Sequence, residues 1–143
     1  MKFMILLRGA ADTEAGVMPS PGLLADMGQF NQALIDAGVM RAGEGLQSTA
    51  KGARVFFNGK DRTVVEGPFP VSDRIVSGFW IWEVASRQEA IDWVKRCPNP
   101  TGETAEIEIR QVFEAADFAA SDPTGELMKK EEAMRATIAA QGG

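Results

Sequence analysis

The sequence predicts an α+β domain, because strand-like and helix-like segments alternate along a chain that is long enough for one core. Two short apolar runs, KFMILLR at residues 2–8 and IVSGFWIWEV at residues 75–84, have the length of buried strands. Residues 19–38 and 86–97 instead carry helix caps and helical apolar spacing. The chain has 143 residues and 45% of them are apolar, which is typical of a single globular domain.

The first strand is followed by a loop and then by a well-marked helix. Ser20 is expected to cap this helix, Pro21 suits its first position, and Gly38 ends it. The residues of its apolar stripe are Leu23, Met27, Phe30 and Leu34. Because these residues recur at intervals of three and four, they lie on one side of the helix and face a sheet. Residues 39–47 predict the returning strand.

The second half of the chain repeats the pattern of strands and helix. Asn58-Gly59 between two β-prone runs predicts a hairpin. After the Trp-rich strand, Ser86 and Glu89 have the spacing of a capping box and predict a second helix. Residues 105–113 predict the strand that completes the sheet.

This order of elements predicts a ferredoxin-like fold. Strand, helix, strand with hairpin, strand, helix and strand form a split βαβ unit, an antiparallel sheet with both helices on one face. We expect one domain over residues 1–143, with a core at about 1–114 and a C-terminal extension with a helix at about 115–143. The thin apolar stripe of that last helix contains Leu127, Met134 and Ile138.

The sheet face away from the helices is predicted to be apolar. The residues assigned to it are Met4, Leu6, Trp80 and Trp82. Exposing all four would leave an apolar patch larger than soluble monomers usually tolerate. Since a two-fold contact lets one surface cover itself, we expect a homodimer with these residues at its interface.

The composition excludes several classes of function. A net charge of −5 argues against nucleic acid as a partner. One cysteine and no histidine leave no ligands for a transition-metal centre and no Ser-His-Asp triad, so no metal and no cofactor are expected. The uncharged stretch between Lys2 and Arg8 is too short for a signal segment or a membrane span. A cytoplasmic location without a membrane partner is expected.

Four segments of the sequence carry a family resemblance, namely GQFNQALIDAGVMRAGEGLQ, VVEGPF, SGFWIWEVASRQEAIDWVKRCP and EIEIRQVFEAADF. Together they resemble the YCII-related family, in particular its branch with an Asp-Gly-Pro-Phe signature. The resemblance implies a ferredoxin-like protomer and a dimeric α/β barrel, and it links some members to alternative sigma factors. It also implies an acid–base pair of histidine and aspartate. Here Asp36 stands where that aspartate would fall, the histidine is missing, and Glu66 replaces the aspartate of the signature.

Three acids and two arginines are the candidate site residues. The weak catalytic candidates are Glu66, Asp36 and Glu83. Glu66 precedes Gly-Pro, where its carboxylate would accept hydrogen bonds from turn amides, and this structural role is the favoured one. Glu83 follows an apolar strand face, so it is either a buried carboxylate that needs a partner or a strand end that has reached water. Arg8 and Arg41, at strand ends, are candidates to pair with Glu83 or to bind an anionic ligand, and the more common alternative is that such arginines are solvated charges.

Two functions from different classes remain open. The first is a small-molecule site in a cleft between sheet and helices, lined by these polar groups, with or without a reaction. The second is a non-catalytic dimeric interaction or regulatory module. The carboxylate on the Trp-rich strand favours the first, the missing histidine favours the second, and the sequence leaves open whether the protein is an enzyme.

Overall fold

The structure is a computed structural model that describes residues 1–101 and 104–142. Within these residues the chain forms six strands and four helices. The strands are β1 (Lys2–Arg8), β2 (Met40–Gly45), β3 (Ala53–Asn58), β4 (Asp61–Glu66), β5 (Val76–Glu83) and β6 (Ile107–Gln111). The helices are α1 (Ala11–Glu14), α2 (Pro21–Asp36), α3 (Arg87–Lys95) and α4 (Glu126–Gly142). The chain divides into two compact units, residues 1–111 and 112–143.

The first unit contains an antiparallel sheet with the strand order β2-β5-β1-β6. Strand β2 follows α2 and strand β6 follows α3. These two strands form the opposite edges of the sheet. This arrangement confirms the predicted α+β, ferredoxin-like class. Strands β3 and β4 form a separate hairpin, which lies between β2 and β5 in the sequence.

Helix α2 has the ends that the sequence predicts. The Ser20 Oγ accepts a hydrogen bond from the Leu23 amide at 3.1 Å, and Pro21 is the first helical residue. Gly38, with a φ of 71°, turns the chain out of the helix, a conformation that costs glycine little.

Helix α3 begins at the predicted cap, Ser86. The Glu89 amide donates to the Ser86 Oγ at 3.1 Å, which satisfies an amide that the first helical turn leaves without a partner. The Glu89 carboxylate accepts from the Ala85 amide at 2.8 Å, one residue before the position that the predicted capping box requires.

The core lies between the sheet and helices α2 and α3. Phe3 pairs with Trp82 and Ile5 with Trp80 on neighbouring strands, so the four side chains share one face of the sheet. Phe30 of α2 packs edge-on against both indoles, with ring centroids 5.9 Å from Trp80 and 6.2 Å from Trp82. Trp82 is fully buried. The space between sheet and helices is therefore filled by aromatic side chains.

The prediction that Trp80 and Trp82 lie on the face away from the helices is wrong. Side chains alternate along a strand, and the register puts both tryptophans on the helix side. The opposite sheet surface, called the open face below, carries the apolar residues Met4, Leu6, Phe79 and Ile81. These four are half-buried and, within the described residues, do not belong to the core cluster. The prediction of an apolar second face therefore holds, with Phe79 and Ile81 in place of the tryptophans.

The second unit contains the predicted C-terminal helix. Asp122 is buried and accepts hydrogen bonds from the amides of Leu127 and Met128 at the start of α4. No residue of α4 within the described part of the chain is buried, and its apolar side chains Met134 and Ile138 are more than half exposed. Over residues 1–101 and 104–142, no helix combines the length and apolar content that crossing a membrane requires.

Candidate functional site

Glu83 and Arg41 form an ion pair at one end of the sheet. The Arg41 Nε lies 2.8 Å from the Glu83 Oε2, and both side chains are about half exposed, at 50% and 43%. The hydrogen bond from Arg41 lowers the pKa of Glu83. Of the two alternatives for Glu83, the strand end that has reached water is therefore the correct one.

Arg8 lies at the other end of the sheet. Its Nη2 is 2.7 Å from the Glu108 Oε1, and Glu108 also pairs with Arg110 at 3.3 Å. These two hydrogen bonds, with that from Arg8 the stronger, lower the pKa of Glu108. Since Glu83 pairs with the first residue of β1 and Arg8 is the last, about 20 Å of strand separates them. The predicted contact between Arg8 and Glu83 is thus absent from the structure.

Asp36 is the last residue of α2 and is exposed. Its Oδ1 accepts a hydrogen bond from the Gln32 Nε2 at 2.8 Å, one helical turn away. The predicted polar residues therefore do not converge, apart from Arg41 and Glu83.

Glu66 ends strand β4, as predicted, but it does not hold the turn that follows. In the described parts of the chain its carboxylate has no hydrogen bond or ion pair, and the side chain is exposed. The Gly67 amide donates to the Gly52 carbonyl at 2.9 Å, and the Phe69 amide donates to the Thr49 Oγ1 at 2.8 Å. The predicted role of Glu66 as acceptor for these amides is therefore wrong, because other segments supply the acceptors.

A hydrogen-bond cluster around Thr49 fixes this turn instead. The Glu14 carboxylate, at the end of α1, accepts from both the Thr49 amide, at 3.1 Å, and the Thr49 Oγ1. The same Oγ1 accepts from the Phe69 amide. A Cβ on Gly67 would lie 1.6 Å from the Thr49 carbonyl oxygen, so the close approach requires glycine. Residues 11–14, a 3-10 turn at residues 49–51 and the Gly-Pro turn are held together here.

Next to this cluster, two segments of the first unit enclose an open pocket of about 350 Å³. Its lining consists of Leu46, Gln47, Ser48, Thr49, Lys51, Gly52, Ala53, Arg54, Phe69, Arg74, Ile75 and Val76. The first segment joins β2 to β3, and the second joins the hairpin to β5. The volume falls at the lower end of the range for small-molecule sites.

All charged side chains in the described lining of this pocket are basic. Lys51, Arg54 and Arg74 line it, whereas no Asp or Glu belongs to its described lining. None of the three cations has an ion pair or a side-chain hydrogen bond with the residues that the structure describes. The Arg54 Cζ lies 3.9 Å from the ring centroid of Phe69, which is a cation–π contact. We call this site the basic pocket.

A second pocket, of about 460 Å³, lies between helix α2 and the chain that follows α3. It is lined by Asp26, Gln29, Phe30, Ala33, Arg96 and Pro98. One acid and one cation give it no preference for either charge. None of the five predicted polar residues lines either pocket.

Comparison with known families decides the classification. Residues 1–116 match the YCII-related domain family, which is most of the chain. The protein belongs to the YCII-related family. The resemblance seen in the sequence is thereby confirmed, and the matched region contains the whole basic pocket. No curated protein matches the chain in a sequence search.

The Glu-Gly-Pro-Phe segment of this YCII-related protein contributes to the pocket through its glycine and phenylalanine. Gly67 permits close contact with the Thr49 backbone. Phe69 forms part of the pocket wall and contacts the Arg54 guanidinium. Sequence reasoning missed Arg54 and Lys51, although a signal was present. From Leu46 to Lys60 the chain has three basic residues and no acid, in a protein with 20 acidic residues.

Neither metal nor thiol chemistry has support in the described part of the YCII-related protein. Among those residues, no group of three or more potential ligands could hold a metal ion. Burial raises the pKa of Cys97 to about 11, so its thiol is protonated at neutral pH. The Sγ donates to the Pro98 carbonyl at 3.3 Å, which fits a packed residue at a helix end.

Proposed function

We propose that this YCII-related protein binds a small anionic molecule in the basic pocket. The observation that carries the proposal is the set of three cations, Lys51, Arg54 and Arg74, that have no carboxylate partner among the described residues. In a chain with a net charge of −5, acidic groups are plentiful, yet none of the described ones lines the pocket. An anion would supply the missing partner.

Arg54 is the residue expected to contribute most. Its guanidinium rests on the Phe69 ring, so less conformational freedom is lost when it binds a ligand. Its N–H donors have no acceptor in the described chain, and hydrogen bonds between charged groups contribute about 1.5–3 kcal/mol each. The described lining offers no carboxylate or histidine as a general base, so binding rather than catalysis is proposed.

Titration calorimetry with a panel of anions tests this function. Arg54→Gln should weaken the binding of each anion that the wild type binds by about tenfold or more, following the loss of about 1.5–3 kcal/mol. Arg62→Gln is the matched control, because Arg62 also stacks on a phenylalanine, Phe57, at 4.2 Å but lies outside the pocket. Equal losses in both variants, or no binding of any anion, would refute the proposal.

We propose in addition that two copies of the protein pair through the open face. Supporting this, Met4, Leu6, Phe79 and Ile81 form a continuous apolar surface on β1 and β5 that does not pack against the core. Because these side chains are already half-buried, covering the rest of each in a dimer would contribute a part of the about 1.5–3 kcal/mol that full burial gives. A two-fold contact is the simplest cover for a surface of this kind.

Sedimentation measurements on Ile81→Glu test the dimer. The wild type should sediment as a dimer at micromolar concentration, whereas Ile81→Glu should be a folded monomer, since a carboxylate would be buried without a partner. Leu24→Glu, which changes a leucine that is 57% exposed on α2, should remain dimeric. A monomeric wild type or a dimeric Ile81→Glu would contradict the proposal.

A further inference from the structure

We infer that the ligand of the basic pocket is a compact organic acid, with an apolar body and a carboxylate, rather than a phosphate compound. This inference rests on the proposed function and names the class of anion. Three observations lead to it: the apolar part of the lining, the state of the backbone amides, and the geometry of Arg54.

The lining combines the cations with an apolar surface. Leu46 lines the pocket and is 49% exposed, and the half-buried Phe69 and Val76 continue the apolar wall. A ligand with a hydrocarbon body would remove this surface from water, which is favourable in proportion to the apolar area covered. Acetate or an inorganic anion would leave most of the wall uncovered.

The backbone amides of the 3-10 turn beside the pocket are already engaged. Phosphate sites commonly use successive free amides of a loop or a helix N-terminus. Here the Thr49 amide donates to Glu14, the Ala50 amide to the Ser48 Oγ, and the Lys51 and Gly52 amides to the carbonyls of Ser48 and Thr49. The Glu14 carboxylate, in direct contact with Thr49, also opposes a doubly charged anion. The turn at residues 49–52 therefore offers no amide cradle to a phosphate.

The remaining donors suit a carboxylate. The Arg54 guanidinium contacts the Phe69 ring, and its N–H donors have no acceptor in the described chain. The planar N–H edge of a guanidinium matches the two oxygens of a carboxylate in a fork-like pair. Lys51 and Arg74 are exposed and add attraction for the negative charge. A volume of about 350 Å³ admits a ring or a short branched chain with one acid group.

The test is a set of calorimetric titrations with phenylacetate, hexanoate, acetate, inorganic phosphate and the neutral phenylacetamide. Phenylacetate or hexanoate should bind at least tenfold more tightly than acetate and phosphate, and phenylacetamide should show no measurable binding. Leu46→Ser should weaken the tighter acid by at least threefold, whereas Leu24→Ser, which changes an exposed leucine outside the pocket, should leave it unchanged.

The results distinguish a wrong ligand class from a failure of the proposed anion binding. If acetate or phosphate binds as tightly as both larger acids, the organic-acid class is wrong while anion binding stands. If phenylacetamide binds as well as phenylacetate, charge recognition is wrong, and both the ligand class and the proposed anion binding fall. If none of the four anions binds, the proposed function is refuted together with the inference.

Discussion

The Thr49 hydroxyl accepts a hydrogen bond from the Phe69 amide and donates one to the Glu14 carboxylate, so a single side chain joins three segments of the first unit. Glu66, three residues before Phe69, has no such partner in the described chain. Because a half-buried donor that loses its acceptor costs more than an exposed charge that is removed, the two residues should differ strongly in their effect on stability.

Thr49→Val should lower the free energy of unfolding by about 1–3 kcal/mol, since it leaves the Phe69 amide unpaired. Thr49→Ser keeps the hydroxyl and should cost less than about 1 kcal/mol, while Glu66→Ala and Glu66→Gln should stay within about 0.5 kcal/mol of the wild type. Urea denaturation measures all four. A cost for Glu66→Ala as large as that for Thr49→Val would contradict the assignment of roles.

The ion pairs of Glu108 with Arg8 and Arg110 give a residue-level prediction for pH. Hydrogen bonds from both arginines lower the pKa of Glu108 below its usual value of 4.5, so the native state holds this carboxylate ionised at a pH where the unfolded chain protonates it. The stabilisation is present above about pH 4.5 and is lost as the pH falls through the lowered pKa. Glu108→Gln should therefore lose less stability than the wild type between pH 6 and pH 3.

Denaturation at a series of pH values checks this prediction, with Glu132→Gln as a control. Glu132 is exposed on α4 and has no ion pair within the described residues. If the stability of Glu108→Gln falls with pH in parallel with that of the wild type across this range, the arginine contacts do not stabilise the fold.

For the secondary-structure elements, local sequence signals predicted the helix ends correctly where the residues that interact are close in sequence. Ser20, Pro21 and Gly38 define α2, and Ser86 with Glu89 starts α3, because capping involves residues only a few positions apart. The face assignment of β5 did not follow from the sequence, since both of its faces are apolar. The tryptophans lie on the helix side because aromatic residues of α2 and α3 pack there, which is information from distant segments.

The basic pocket could not be predicted for the same reason. Glu14, Thr49 and Phe69 are 20 or more positions apart from one another, and no local pattern reports that they meet. Glu66 drew attention because it precedes Gly-Pro, yet the amides of that turn use acceptors at residues 49 and 52. Only the acid-free run from Leu46 to Lys60 pointed towards the site from sequence alone.

The Gly-Pro turn after the hairpin is packed closely against the 3-10 turn at residues 49–51. Gly67→Ala would place a Cβ 1.6 Å from the Thr49 carbonyl oxygen, so the 3-10 turn must shift and the pocket wall with it. We expect a stability loss of about 1–3 kcal/mol by denaturation, together with weaker anion binding. Gly45→Ala, at a strand position with no atom within 4 Å of the added Cβ, should change stability by less than about 1 kcal/mol. Equal effects would argue against a close-packed turn.

For the whole first unit, charge and apolar surface are distributed unevenly. A chain with a net charge of −5 concentrates Lys51, Arg54 and Arg74 around one pocket, while the ends of the sheet neutralise their own arginines with Glu83 and Glu108. The space between sheet and helices, where a ligand cleft was predicted, is occupied by the packed aromatic core. Ligand binding is therefore expected at the loops beside the sheet, and self-association at the open face.

Binding of an organic acid in the basic pocket can be located by following the backbone amide resonances of the whole protein in an NMR titration with phenylacetate. We expect the largest, saturable shifts at residues 46–54 and 69–76, and we expect them to be lost in Arg54→Gln and to persist in Arg62→Gln. Largest shifts at the Arg41–Glu83 pair or between α2 and α3, or shifts that Arg54→Gln leaves unchanged, would show that the acid does not bind in the basic pocket.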